Sequence, residues 1–178
     1  MRSARFADGI EPGWNNARRM RVGVGQATDA AADAHVLIED ADGRLVIDVF
    51  GPLVQSFTFS AVEFWHDLVV IGHGSALYVV RPSNGWSLYV AIPGYFGSIF
   101  TSGVSNDICL VATDSEIIRL SPQGSILWRR GELAADGVII NDVQDGVIRA
   151  SGQWDPPDAE WTDFGLTLES GQRIDADA

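Results

Sequence analysis

The chain has 178 residues, 46% apolar and 20% charged, enough for one medium domain with an ordinary core, and it is neither disordered nor fibrous. Twenty-four carboxylates face twelve bases, a formal charge of −12, and every base is arginine. The lack of lysine excludes Schiff-base chemistry and lysine-dependent phosphate loops, and the charge argues against nucleic acid or an anionic membrane as partner.

Residues 1–9 lack the unbroken apolar stretch of a secretory signal, and no run of about 18 apolar residues exists, so a cytoplasmic soluble protein is expected. Next comes a weak strand-like region over 4–10, then Pro12-Gly13-Trp14, a strand over 20–25 and a polar loop over 26–34. Within that loop, residues 28–33 are the sole helical candidate, one turn long. Strands over 35–39 and 44–47 follow, divided by the turn Asp40-Ala41-Asp42-Gly43. A second stretch of similar layout runs through 51–92, with strand-like runs over 56–64, 67–72, 76–80 and 86–89. A third covers 93–132, with runs over 97–104, 107–112, 116–120 and 125–128. The last covers 133–178, with runs over 137–143, 145–151, 164–168 and 172–174.

These stretches keep register. Gly85 and Gly124 lie 39 apart, Asp67 and Asp107 lie 40 apart, and Asp145 follows Asp107 by 38. Gly43, Gly85, Gly124 and Gly171 each follow small polar residues and divide two strand-like runs, the chemistry of a hairpin turn. Four strands in about forty residues is the signature of a β-propeller blade. The expected fold is therefore all-β: one propeller-like domain of about four four-stranded blades (about 1–50, 51–92, 93–132 and 133–178), with a β-sandwich as the alternative. A closed four-bladed ring would be a monomer. An open half-ring would expose apolar blade faces and pair into a two-fold homodimer of eight blades.

The segment Leu120-Ser121-Pro122-Gln123-Gly124-Ser125-Ile126-Leu127-Trp128 resembles the closing hairpin of blades in the pyrroloquinoline-quinone-type propeller family, where a turn glycine precedes a tryptophan by four residues. The resemblance implies that Trp128 docks between neighbouring blades. The equivalent places hold Ile47, Tyr89 and Asp175. The family's quinone enzymes use eight blades and paired adjacent cysteines, whereas this chain has about four units and one cysteine, so the resemblance implies the scaffold without the quinone chemistry. No cofactor is expected.

The residues that carry chemistry elsewhere find no constellation here. His66 and His73, expected at opposite ends of one blade, should not share a metal, and His73 in Gly72-His73-Gly74-Ser75-Ala76 reads as a loop histidine. Ser75 lacks the Gly-x-Ser-x-Gly elbow. Asp40 and Asp42 open like a calcium loop but have no distal glutamate. Cys109, the single cysteine, alternates with apolar residues as a buried thiol does. It excludes a disulfide framework and a multi-cysteine zinc site. No metal site is expected.

The units differ in one informative way. Residues 26–34 and 152–162 form long loops where the middle copies have short ones, and in a closed ring the two would meet. They gather Asp29, Asp33, Asp155, Asp158 and Glu160 with Trp154 and Trp161. Aromatic anchors with steering carboxylates suit a basic protein partner, and two prolines stiffen the longer loop. The expected function is a non-enzymatic protein-binding module with an acidic face, such as a bacterial immunity or inhibitor protein for a basic toxin. The alternative is a small-ligand binder or hydrolase using the ring's channel, with Asn106, Asp107, Asn141 and Asp142 as the nearest polar groups.

Overall fold

The computed structural model describes residues 2–24, 31–51, 59–102, 107–154 and 160–174. The fold is all-β and propeller-like, with sixteen strands among the described residues arranged in four four-stranded sheets. The strands are β1 (Ser3–Ala7), β2 (Arg18–Gly23), β3 (Ala34–Asp40), β4 (Gly43–Phe50), β5 (Ser60–Trp65), β6 (Leu68–His73), β7 (Ala76–Arg81) and β8 (Trp86–Ala91). After them come β9 (Phe96–Thr101), β10 (Cys109–Thr113), β11 (Ile117–Leu120), β12 (Ile126–Arg130), β13 (Val138–Gln144), β14 (Val147–Gln153), β15 (Trp161–Thr167) and β16 (Arg173–Ile174). A short 3-10 turn, Pro12–Trp14, is the one helical element described. The chain divides into two compact units, 1–95 and 96–178, each holding two sheets.

Three sheets are plain antiparallel meanders, β5-β6-β7-β8, β9-β10-β11-β12 and β13-β14-β15-β16. The four turn glycines do what their position requires: Gly43, Gly85, Gly124 and Gly171 all have positive φ, between 68° and 116°. Cys109 is fully buried on β10.

The first sheet departs from the expected strand order. It runs β1-β3-β4-β2, so the strand at 18–23 is not second in the sheet but lies at its edge, parallel to β4, with Arg21 opposite Asp48. Gly43 accordingly turns between the two central strands, whereas Gly85, Gly124 and Gly171 each turn into the last strand of their sheet. The physical reason lies in β4. Its run Leu45-Val46-Ile47-Asp48-Val49-Phe50 is buried throughout, which suits a central strand covered on both faces. The arginine-rich β2 is half exposed and suits an edge.

Within the first unit, alternate residues of β3 and β4 (Val36, Ile38, Leu45, Ile47, Val49) pack against Val69, Ile71, Ala76, Tyr78 and Val80 of the second sheet. The other face of the first sheet carries Leu37 and Val46 and is covered by Trp14, which the 3-10 turn lays over them. Pro12 at the first position of that turn has its φ already set.

Within the second unit, Leu110, Ala112 and Ile117 of the third sheet meet Val138, Ile148, Ala150, Phe164 and Leu166 of the fourth. Trp128 on β12 joins the two. Its indole N–H donates to the Leu168 carbonyl at 3.0 Å, beside Arg119 Nη1 at 2.7 Å, and its ring lies against Gly171. The tryptophan after the Gly124 turn thus docks on the neighbouring sheet.

Candidate binding face on the C-terminal sheet

The fourth sheet buries one face and leaves the other open. Ile148 and Ala150 of β14 point to the core, so the intervening Val147, Arg149, Ser151 and Gln153 point away from it. Their cross-strand partners share that outer face: Ile139 and Asp142 on β13, and Trp161, Asp163 and Gly165 on β15. Ile174 follows across from Gly165. Ile139 is 48% exposed, Trp161 44% and Ile174 36%, so apolar surface lies open among charged side chains on a sheet that forms part of a cleft of about 790 Å³.

Local irregularity sets the polar part. β13 shifts register between Ile140 and Asp142, which gives Asn141 no partner in the ladder and lets its side-chain amide donate to Ser151 Oγ at 2.8 Å. Ser151 in turn donates to Asp163 Oδ1 at 2.6 Å. The buried hydroxyl is satisfied at both ends, and the Asp163 carboxylate is held at the exposed surface. Beside it Arg149 pairs with Asp142 at 3.2 Å, and the Arg173 guanidinium lies 5.5 Å from the Phe164 ring.

The β14–β15 connection leaves from this end of the sheet. Trp154 follows β14 directly and is 44% exposed, Trp161 opens β15 opposite Gln153, and Glu160 just before it is exposed. Asp155 and Asp158 lie outside the described residues, as does Asp29. Asp33 is placed, in the first unit, where its carboxylate accepts the Gly51 backbone N–H at 2.7 Å. It orders the end of β4 rather than standing idle at a loop tip. The long loop that contains Asp33 joins edge strand β2 to β3, and it does not link two central strands as the repeat predicts. The 154–160 connection does join the two central strands of its sheet.

Of the four polar groups expected to serve a channel, Asn106 lies outside the described residues, while Asn141 and Asp142 belong to the outer face just described. Sequence reading missed Ile139, Asp163 and Ile174. Ile139 hides inside the apolar run Val138-Ile139-Ile140, whose alternation emerges only once the strand register is fixed. Asp163 alternates with Trp161 and Gly165 on β15, a period-two signal present in the sequence.

The charge is unevenly divided. Residues 1–95 hold seven arginines against ten carboxylates, and residues 96–178 hold five against fourteen, so −9 of the −12 resides in the second unit. All three histidines belong to the first unit. His73 ends β6 with both ring nitrogens buried and without hydrogen-bond partners among the described residues. Burial lowers its pKa below the ordinary 6.5, partly offset by the Asp33 carboxylate. His66 lies at the other end of β6, in the turn after β5. Among the described residues no group of three or more His, Cys, Asp or Glu is placed to hold a metal, and no helix is long and apolar enough to cross a membrane.

No known family model matches the chain, and no curated protein matches it. Among solved structures, the crystal structure of Citrobacter koseri AztD is similar at 10% identity with a TM-score of 0.47. The match covers 82% of this chain and 42% of that one, so the chain spans less than half the length of that protein.

Proposed function

We propose that this chain is a non-enzymatic protein-binding module whose second unit takes a basic protein partner on the open face of the fourth sheet and the adjoining tryptophan-flanked loop. The observation that carries the reading is the coincidence of charge and aromatic exposure: fourteen carboxylates against five arginines in the unit that also exposes Trp154, Trp161 and Ile139. Exposed aromatic and branched side chains supply contact area that is lost from water on binding, and like-signed surrounding charge speeds encounter with an oppositely charged partner. The same charge opposes self-association, because two such units would bring −9 against −9. An immunity or inhibitor protein for a basic toxin is the function class this combination suits.

The scaffold reading that accompanies it is a set of propeller blades of the pyrroloquinoline-quinone type, without quinone chemistry. The meander order of three sheets and the docking of Trp128 on the next sheet support it. Hydrolysis at Ser151 is the poorer reading: its hydroxyl proton is held by Asp163 and the unit contains no imidazole to receive it.

The test is a tagged capture from the source cells, run in parallel with the wild-type chain and with a Trp154→Ser/Trp161→Ser variant. The expected result is a basic protein retained by the wild type, weakened at high salt and lost from the variant. Equal recovery by both, or capture of nothing, overturns the proposal.

A further inference from the structure

The fourth sheet differs from its repeats at one edge. In the second sheet all six residues of β7 pair with β8, and in the third all four of β11 pair with β12. In the fourth, β16 has two residues and pairs only with Gly165 and Leu166 of the seven in β15. The rest of that edge, residues 161–164, has no strand beside it among the described residues.

The ladder decides which backbone groups face the open side. Thr167 faces β16: its N–H donates to the Gln172 carbonyl at 2.8 Å, and its carbonyl accepts the Gly171 N–H at 2.9 Å. Leu168, one residue on, turns its N–H the other way, to the Gly146 carbonyl before β14 at 2.7 Å. The β14–β15 pairing runs without a bulge from Val147 opposite Thr167 to Gln153 opposite Trp161. The alternation therefore holds along β15, and Asp163 and Trp161 present their N–H and C=O groups to the open side.

Trp161, Thr162 and Asp163 are all exposed. An exposed run of unpaired backbone is a template for another strand, and the side chains along this one select its charge. Asp163 holds a carboxylate on the outer face, with Oδ1 accepting from Ser151 at 2.6 Å, and Glu160 stands exposed just before the strand. Neither a proline nor a base lies within 160–164. Two copies joined edge to edge would set these acids against each other, whereas a basic strand meets opposite charge.

We propose that the open edge of β15 takes an extended basic segment of the partner protein as an added strand, antiparallel to β15 and in line with β16. This rests on the basic-partner reading above and specifies its contact: backbone pairing with Asp163 and Trp161 holds the segment, and the side chains choose it. The register fixes the pattern recognised. Asp163 and Trp161 share the outer face, so the incoming residue opposite Asp163 is basic and the one two positions later, opposite Trp161, is apolar.

The test uses the full chain, isotopically labelled, with backbone amide exchange followed by NMR. The probe is a capped peptide, threonine-arginine-threonine-valine-threonine. Its control is N-methylated at arginine and valine, the residues whose amides would face β15, and keeps charge and side chains. The Trp161 and Asp163 amides should exchange freely in the free chain and slow by about tenfold under saturating peptide, and the N-methylated control should bind about tenfold more weakly. Trp161→Pro removes the edge-facing N–H at the first residue of the strand, where proline is tolerated. It should bind the peptide about fivefold more weakly than Trp161→Ser, which removes only the indole, and circular dichroism checks that both variants fold. Slow exchange of these amides in the free chain, at all concentrations or only at high ones, means that the chain itself or a second copy covers the edge, and overturns the proposal. So does absence of binding by the peptide. Equal binding of peptide and control overturns it too, while leaving the basic-partner reading intact; that reading fails separately, by an empty capture from the source cells.

Discussion

Gly171 and Trp128 meet between the sheets of the second unit, and the cost of disturbing that contact can be worked from the geometry. Gly171 has φ of 68°, and a Cβ there would lie 2.8 Å from Trp128 Cε3 and 3.0 Å from Cδ2 and Cζ3. Gly171→Ala therefore incurs two penalties. The left-handed backbone costs an L-residue about 1 kcal/mol, and overpacking against the indole adds roughly 2 kcal/mol, about 3 kcal/mol together. Trp128→Ala by itself removes a half-buried indole and one of the two hydrogen bonds to the Leu168 carbonyl, a loss of about 3 kcal/mol. In that background the overpacking vanishes, and Gly171→Ala should cost only the backbone term. Urea unfolding of the four chains gives the coupling, expected at about 2 kcal/mol. If Gly171→Ala costs the same with and without the indole, to within about 0.5 kcal/mol, the contact between the two is not what holds this turn.

Three further outcomes follow from buried polar groups. His73→Leu should raise stability by about 1 kcal/mol, since two unpartnered ring nitrogens leave the interior. Burial holds the folded-state pKa of His73 below 6.5, so the unfolded chain takes up the proton first and stability falls as pH drops below about 6.5. The variant should lose less stability than the wild type between about pH 7.5 and 5.5. Thermal scans at both values measure it, and equal losses contradict the reasoning. Tyr78→Phe removes the donor to the Phe50 carbonyl (2.9 Å) and should cost about 1–2 kcal/mol in denaturant unfolding. Because a Cβ at Gly51 would sit 2.4 Å from that hydroxyl, Gly51→Ala should be better tolerated in the Tyr78→Phe chain than in the wild type. Arg129→Met strands the Glu116 carboxylate, 8% exposed, which Arg129 holds at 2.5 Å. A loss of about 2 kcal/mol is expected, recovered in large part by Glu116→Gln in the same chain. Absence of any recovery sinks that account.

Much of the architecture was legible in the sequence because β-hairpins are local. The spacing of Gly85, Gly124 and Gly171 located the last turn of three sheets, and the Gly124–Trp128 spacing located an inter-sheet dock. The first sheet was misread because its decisive pairing is not local. β2 runs parallel to β4 with paired residues 27 apart in sequence, Arg18 opposite Leu45, and no turn residue signals such a partner. The clue was burial: Leu45 through Phe50 is too continuously apolar for an edge, with Asp48 its one charge. That aspartate is held by Arg19 and His35, contacts invisible until three strands lie side by side. The aromatic and acidic part of the candidate face was readable at Trp154, Glu160 and Trp161. Ile139, Asp163 and Ile174 needed the register that decides which side of a strand each residue takes.

The central claim, a basic partner bound by the second unit, is tested most directly by calorimetry of the captured protein against two chains, the wild type and Ile139→Ser/Trp161→Ser. Both substituted side chains are exposed on the open sheet face, so stability should change little. The account predicts that the double substitution weakens binding by about thirtyfold or more and that raising the salt weakens the wild-type complex further. Equal affinity of the two chains, with no response to salt, would contradict it.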